Sequence, residues 1–127
     1  MEGVGVLVVE DDELIRQLVD GVLEEAGYLT VAASSGAEAI GVMQRGDPLI
    51  SALVSDVNLG RGVTDGWEVA RRGRLLIPAL AVVYMTGDAG AEWAASGVPN
   101  SILITKPFAL NQIATAVAQL LNRGPLS

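Results

Sequence analysis

The stretch Ala52–Asn58 reads A-L-V-S-D-V-N. Ala52, Leu53 and Val54 have the length and character of a strand covered on both faces. They deliver one carboxylate, Asp56, to the strand's end, so the acid must emerge at an edge of the core. In open α/β sheets the carboxyl edge is where ligands bind. Asp56 is therefore the first candidate for chemistry, and the rest of the chain is read for what serves it.

Upstream, Val4–Val9 (V-G-V-L-V-V) is a second buried run, halted by four acids in succession, Glu10-Asp11-Asp12-Glu13. Beyond them Leu14/Ile15, Leu18/Val19 and Val22/Leu23 recur at the spacing of one helix face. Asp12 and Glu13 suit the positive end of that helix, and Gly27 suits its far end. Tyr28–Ala33 reads as a short strand. Ser35-Gly36-Ala37-Glu38 has the spacing of a capping box, opening a helix that carries Ile40 and Met43 and ends near Gly46. Asp47-Pro48 turns the chain into the strand that holds Asp56.

Downstream, Gly60-Arg61-Gly62 marks a loop. A helix begins near Thr64 or Asp65 and runs through Trp67, Val69 and Ala70, with Gly73 weakening its later half. Leu80–Met85 is a strand that reaches Thr86-Gly87-Asp88. Ala89–Ala95 is a short helix holding Trp93, and Ser101–Thr105 is a strand that meets Lys106-Pro107-Phe108. The last helix, about Leu110 to Asn122, buries Leu110, Ile113, Ala114, Val117, Leu120 and Leu121. Five strands alternating with five helices over short loops make an α/β fold, a mostly parallel sheet covered on both sides. Residues 1–127 read as one domain, with no linker, repeat or output domain.

Composition narrows the chemistry. Half of the residues are apolar and 18% are charged, which is a globular balance. Cysteine and histidine are both absent. That excludes disulfides, thiolate and Ser-His-Asp catalysis, and His- or Cys-ligated metals. The formal charge of −7 argues against nucleic-acid binding. Arg71, Arg72 and Arg74 read as a solvated helix face, and Trp67 and Trp93 as packing residues. No apolar run has the length of a membrane span, and Met1-Glu2-Gly3 lacks the basic start of a signal peptide, so a cytoplasmic protein is expected.

Parallel connectivity brings the carboxyl ends of the strands to one edge. The residues there are Glu10 and Asp11, Asp56, Thr86 and Lys106. Each carboxylate pair at about 5 Å repels by roughly 3 kcal/mol at an effective dielectric of about 20. A cation must neutralise them, or one holds a proton. An all-oxygen set without His or Cys favours Mg²⁺, held by the side chains of Asp11 and Asp56 with a backbone carbonyl near Asn58.

The motifs V-L-V-V-E-D-D-E, S-D-V-N, V-V-Y-M-T-G-D and I-T-K-P-F, in this order, resemble those of a response-regulator receiver domain across essentially the whole chain. The resemblance implies a flavodoxin-like (βα)5 fold, doubly wound, with five parallel strands in the order 2-1-3-4-5. It makes Asp56 the phosphoacceptor, Asp11 a direct Mg²⁺ ligand and Glu10 a ligand acting partly through water. Thr86 and Lys106 each bind a phosphoryl oxygen, and the Lys106–Pro107 bond is cis. In the family, the positions of Asn58 and Asp88, two residues beyond Asp56 and Thr86, influence how attacking water reaches the phosphoryl group; loop hydrogen bonding is an equal alternative for both. The implied function is a switch in a two-component phosphorelay rather than a turnover enzyme. Its implied partners are a sensor histidine kinase or a histidine phosphotransfer protein, and an unidentified downstream protein.

The sequence departs from the family at Leu103, where many receivers carry an aromatic switch residue three positions before the lysine. The Gly60–Asp65 segment is also longer than the usual loop after the aspartate. The outer face of the last helix (Asn111, Gln112, Thr115, Ala118, Gln119) is small and uncharged, which suits docking or a weak homodimer as well as a plain polar surface. Two other readings use the same residues. One is a small haloacid-dehalogenase-like phosphatase, although that class places its nucleophile on the first strand in a D-x-D pattern. The other is a receiver-like interaction module that is never phosphorylated.

Overall fold

The structure, a computed structural model, describes residues 3–59, 64–87, 90–106 and 108–123. The elements alternate as β1 (Gly5–Val9), α1 (Glu13–Glu25), β2 (Leu29–Ala33), α2 (Gly36–Arg45) and β3 (Ile50–Asp56). They continue as α3 (Gly66–Leu76), β4 (Ala81–Thr86), α4 (Gly90–Ser96), β5 (Ser101–Thr105) and α5 (Leu110–Arg123). All four strand pairings are parallel and the order is β2-β1-β3-β4-β5. The doubly wound, flavodoxin-like architecture is therefore present. Its register aligns Val9 with Ala33 and Ser55, Asp56 with Met85, and Thr86 with Thr105, so the carboxyl ends share one edge.

Side chains alternate between the two faces of the sheet because the strand period is two. Val6, Val8, Ala52, Val54, Val83 and Met85 meet α1 and α5 through Val19, Leu23, Ile113 and Val117. Leu7, Val9, Leu53, Val82 and Tyr84 meet α2 and α3 through Ala39, Met43, Trp67 and Val69. The central strands are buried on both sides, as the apolar run around Ala52–Val54 requires.

Several boundaries move. Tyr28 precedes β2 instead of starting it, buried in the turn with its N–H donating to the Leu23 carbonyl. On α1 the buried stripe is narrower than the sequence pairs suggest. Ile15, Val19, Val22 and Leu23 pack inward, while Leu14 and Leu18 lie about 100° further round and stay exposed. Asp12 and Asp65 cap α1 and α3 by accepting the N–H groups of Ile15 and Glu68. Ser35 caps α2 in the same way through Glu38 N–H, but the Glu38 carboxylate turns to the Ser34 N–H and hydroxyl, not back to Ser35. α3 runs unbroken through Gly73, which is buried against Leu80 and Met43. Arg74 is half-buried, unlike Arg71 and Arg72, and its guanidinium donates to the carbonyls of Leu80 and Asn100. The one cis peptide among the described residues is Asp47–Pro48, and the expected cis bond before Pro107 lies outside them. No helix among the described residues is long and apolar enough to cross a membrane.

Candidate functional site

Each site residue stands just where a strand gives out, and the backbone ladder runs one residue past the strand to hold it. Glu10 N–H donates to the Ala33 carbonyl, Val57 N–H to Met85, and Lys106 N–H to Thr86 at 2.7 Å. Beyond Glu10 the chain must turn into α1. Arg16 clamps that corner by donating to the Glu10 carbonyl at 2.9 Å, and the turn sends neighbouring acids opposite ways. Glu10 is 1% exposed, while Asp11 faces solvent. On the other side α3 begins almost touching the site strand. Gly66 donates to the Val57 carbonyl, and a Cβ at this position would collide with the Asp56 carbonyl oxygen.

The carboxylates of Glu10, Asp11 and Asp56 offer oxygens that all lie within 4.8 Å of one another. The Lys106 ammonium is 3.3 Å from Asp56 Oδ2 and 3.7 Å from Glu10 Oε1. Asp56 Oδ1 accepts the Asn58 N–H at 3.3 Å, and Glu10 Oε2 accepts the Asp12 N–H at 3.1 Å. Thr86 is buried at the same edge. Over these groups opens a cleft of about 730 Å³, with Asp11, Asp56, Asn58, Thr86 and Lys106 in its lining.

Charge is out of balance here. Burial pushes the Glu10 carboxyl up from 4.5 to about 7. The Asp12 N–H pulls it back, the Asp56 charge pushes it further up, and the Lys106 ammonium opposes the rise. Glu10 Oε1 is buried without a hydrogen-bond partner among the described residues. Lys106 thus meets two of the three acids, and Glu10 Oε1, which it reaches only at 3.7 Å, accepts no hydrogen bond among the described residues. The donors are all hard oxygens, as a small divalent cation prefers, so this set fits Mg²⁺.

The structure therefore brings together Glu10, Asp11, Asp56, Thr86 and Lys106, with Asn58 at the cleft wall. Leu103 is elsewhere, half-buried on β5 in the Trp67–Tyr84 cluster. Asp88 and Pro107 lie outside the described residues. Sequence reading overlooked Asp65, Glu92 and Trp67, which also line the cleft. For Asp65 a signal existed: an N-cap that follows a loop from the site strand must sit at the same edge.

The model of the response regulator receiver domain matches residues 6–118. The chain belongs to the response regulator receiver family. As a receiver it is 30% identical over 120 residues to the sensor kinase CckA of Brucella abortus, covering 93% of this chain but 12% of that kinase. It spans about half (51%) of the response regulator MprA of Mycobacterium leprae. To the response regulator receiver protein CpdR of Brucella abortus it is 30% identical, over 91% of this chain and 95% of that protein. A solved receiver from Sinorhizobium medicae superposes with a TM-score of 0.89 at 41% identity, covering 94% of each chain. In this receiver Asp56 stands at the end of β3, while β1 is followed directly by Glu10-Asp11. That is not the first-strand D-x-D arrangement of the phosphatase alternative.

Proposed function

We propose that this receiver is a Mg²⁺-dependent phosphoacceptor switch in which Asp56 takes a phosphoryl group from a phosphohistidine. The carrying observation is the Asp56 carboxylate between the Lys106 ammonium at 3.3 Å and a cluster of acids within 4.8 Å, at the floor of an open cleft. Phosphoryl transfer needs in-line positioning and positive charge around the equatorial oxygens. An Asp56 oxygen attacks phosphorus, the P–N bond to the donor imidazole breaks, and its electron pair stays on the departing nitrogen. Lys106 and the Thr86 hydroxyl meet oxygens of the transferred group, and the Asn58 N–H steadies the other carboxylate oxygen. The product is an aspartyl-phosphate.

Asp11 and Asp56, assisted by Glu10 and the Asn58 carbonyl, would hold Mg²⁺. The cation supplies charge neutralisation for the incoming phosphoryl oxygens. The 127 residues contain no histidine, so the donor imidazole lies outside them, on a sensor histidine kinase or a histidine phosphotransfer protein. The phosphorylated state then changes binding to a downstream protein, which makes this a switch and not a turnover enzyme. Asn58, at the cleft wall beside the acceptor, regulates access of hydrolytic water, a role in which Asp88 is expected to share.

The test is labelling with acetyl phosphate and Mg²⁺, followed by phosphate-affinity electrophoresis. Wild type is expected to shift and Asp56→Asn to stay unshifted. Equal modification of the two proteins would sink the assignment.

A further inference from the structure

The two outer strands of the sheet differ in the charge around them. β5 forms one edge, and no acid lies in it or beyond it along the chain. β2 (L-T-V-A-A) forms the other, with no charge, proline or bulge to blunt it. Leu29 N–H donates to the Val4 carbonyl and the Ala33 carbonyl accepts from Glu10, so the odd-numbered residues of β2 face β1. Thr30, Ala32 and then Ser34 turn their backbone groups outward. The Glu38 carboxylate takes the Ser34 N–H at 2.9 Å. The groups of Thr30 and Ala32 stand at the open edge, where Ala32 is exposed.

The same period of two sorts the side chains. Val31 and Ala33 join the α2–α3 side of the sheet, which leaves Thr30 and Ala32 on the α1 side. There Glu24 of α1 accepts the Thr30 hydroxyl at 3.1 Å. Asp20 lies one turn back on the same helix face, and Arg16 one turn further, where its guanidinium donates to the Glu10 carbonyl. Asp20 Oδ1 is buried and accepts no hydrogen bond among the described residues. Burial above all, then the Glu24 charge, pushes the Asp20 carboxyl above its ordinary value, and Arg16 only opposes the rise.

We propose that the β2 edge binds an extended segment of a partner protein, added as a sixth strand and carrying basic side chains at alternate positions. The backbone groups of Thr30 and Ala32 supply the ladder. The acids select the pattern. Asp20 and Glu24 stand four helix residues apart, a rise of about 6 Å. Alternate residues of a strand rise about 6.6 Å and point to one face. Two bases at such positions therefore match the two carboxylates, while the residue between them falls beside Leu29 and Val31 and is apolar. Leu29 is 48% exposed, which leaves it apolar surface to offer. A second copy of this chain suits the edge poorly. Antiparallel pairing of two β2 strands sets both α1 helices on one face and brings their acids together.

The probe is a capped six-residue peptide alternating lysine with valine, titrated into the isotopically labelled whole chain at low salt. Binding should shift the amide resonances of Thr30 and Ala32 and slow their hydrogen exchange. Asp20→Asn and Glu24→Gln keep the shape of each side chain and remove only its charge. Each should weaken binding about threefold, and the two together about tenfold. Added salt should weaken it as well. An isomer with three lysines followed by three valines has the same charge without the alternation, and should bind several-fold more weakly.

The proposal is overturned if millimolar peptide leaves the Thr30 and Ala32 amides unmoved. It is overturned equally if the two isomers bind alike, since that is charge attraction without an added strand. Protection of these amides that grows with protein concentration, in the absence of peptide, would make a second copy the occupant and overturn it too.

Discussion

Two clusters of charge on this domain obey the same electrostatics with opposite outcomes. On α3, Glu68 faces Arg71 at 2.7 Å and Arg72 at 3.0 Å, one acid with two bases in open solvent. Hydrogen bonds from those guanidinium groups hold its carboxyl below the usual range. At the carboxyl edge of the sheet, Glu10, Asp11 and Asp56 cluster, the Lys106 ammonium meets Glu10 and Asp56, and burial drives Glu10 up to about 7. The α3 cluster is what a helix surface makes of its charges. The edge cluster is one that folding alone would not select, since each like pair at about 5 Å opposes it by roughly 3 kcal/mol. Charge by itself does not mark the site. The mark is an unbalanced surplus of one sign, held in place by backbone ladders.

The largest effect that sharpens this contrast is a pH dependence. The Glu10 carboxyl lies at about 7 in the folded chain against 4.5 for a free side chain. The fold thus favours the protonated form. Its stabilising contribution is full below pH 4.5, is lost as pH rises towards 7, and is constant above. The span corresponds to about 3 kcal/mol. Denaturant unfolding in EDTA between pH 4.5 and 8 should show wild type losing this much stability relative to Glu10→Gln. Parallel curves for the two proteins would place the strain elsewhere.

Next come the two proposed cation ligands, which differ in exposure. Asp56→Asn removes repulsion from two acids at the loss of one contact to Lys106. It should raise the metal-free melting temperature at neutral pH, by about 4 °C for each kcal/mol relieved in a domain of this size. Asp11→Asn should raise it less, because Asp11 faces solvent and its charge is screened. Scanning calorimetry without Mg²⁺ decides the order. A lower melting temperature for both variants would mean that the carboxylates are better partnered than their geometry indicates.

The sheet and its acidic edge were legible in the sequence because both follow from local rules. Apolar runs of strand length end in Glu10, Asp56, Thr86 and Lys106, and parallel connectivity forces those ends together. What local rules could not give was the direction of each side chain after its strand. Glu10 and Asp11 are adjacent and alike, and only the corner clamped by Arg16 turns one into the core and the other out to solvent. The Trp67–Tyr84 contact needed two phases at once, that of α3 and that of β4. Half of it was available: Tyr84 stands two residues before Thr86, and a period of two already puts them on one face. Arg74 was misread with its neighbours because carbonyls from two other segments, at Leu80 and Asn100, take its guanidinium out of the exposed run.

The smallest expected effect is the control that makes the comparison quantitative. Glu68→Gln removes a carboxylate from an exposed cluster whose interactions water and salt already weaken. Its melting temperature should match wild type within measurement scatter at moderate ionic strength. Millimolar Mg²⁺ then separates the two regions, since a ligand that binds only the folded state raises its stability by mass action. Wild type and Glu68→Gln should gain equally from the cation, whereas Asp11→Asn should gain much less. If Glu68→Gln lost the gain and Asp11→Asn kept it, the cation would belong to the helix surface, and the surplus of charge at the sheet edge would need another explanation.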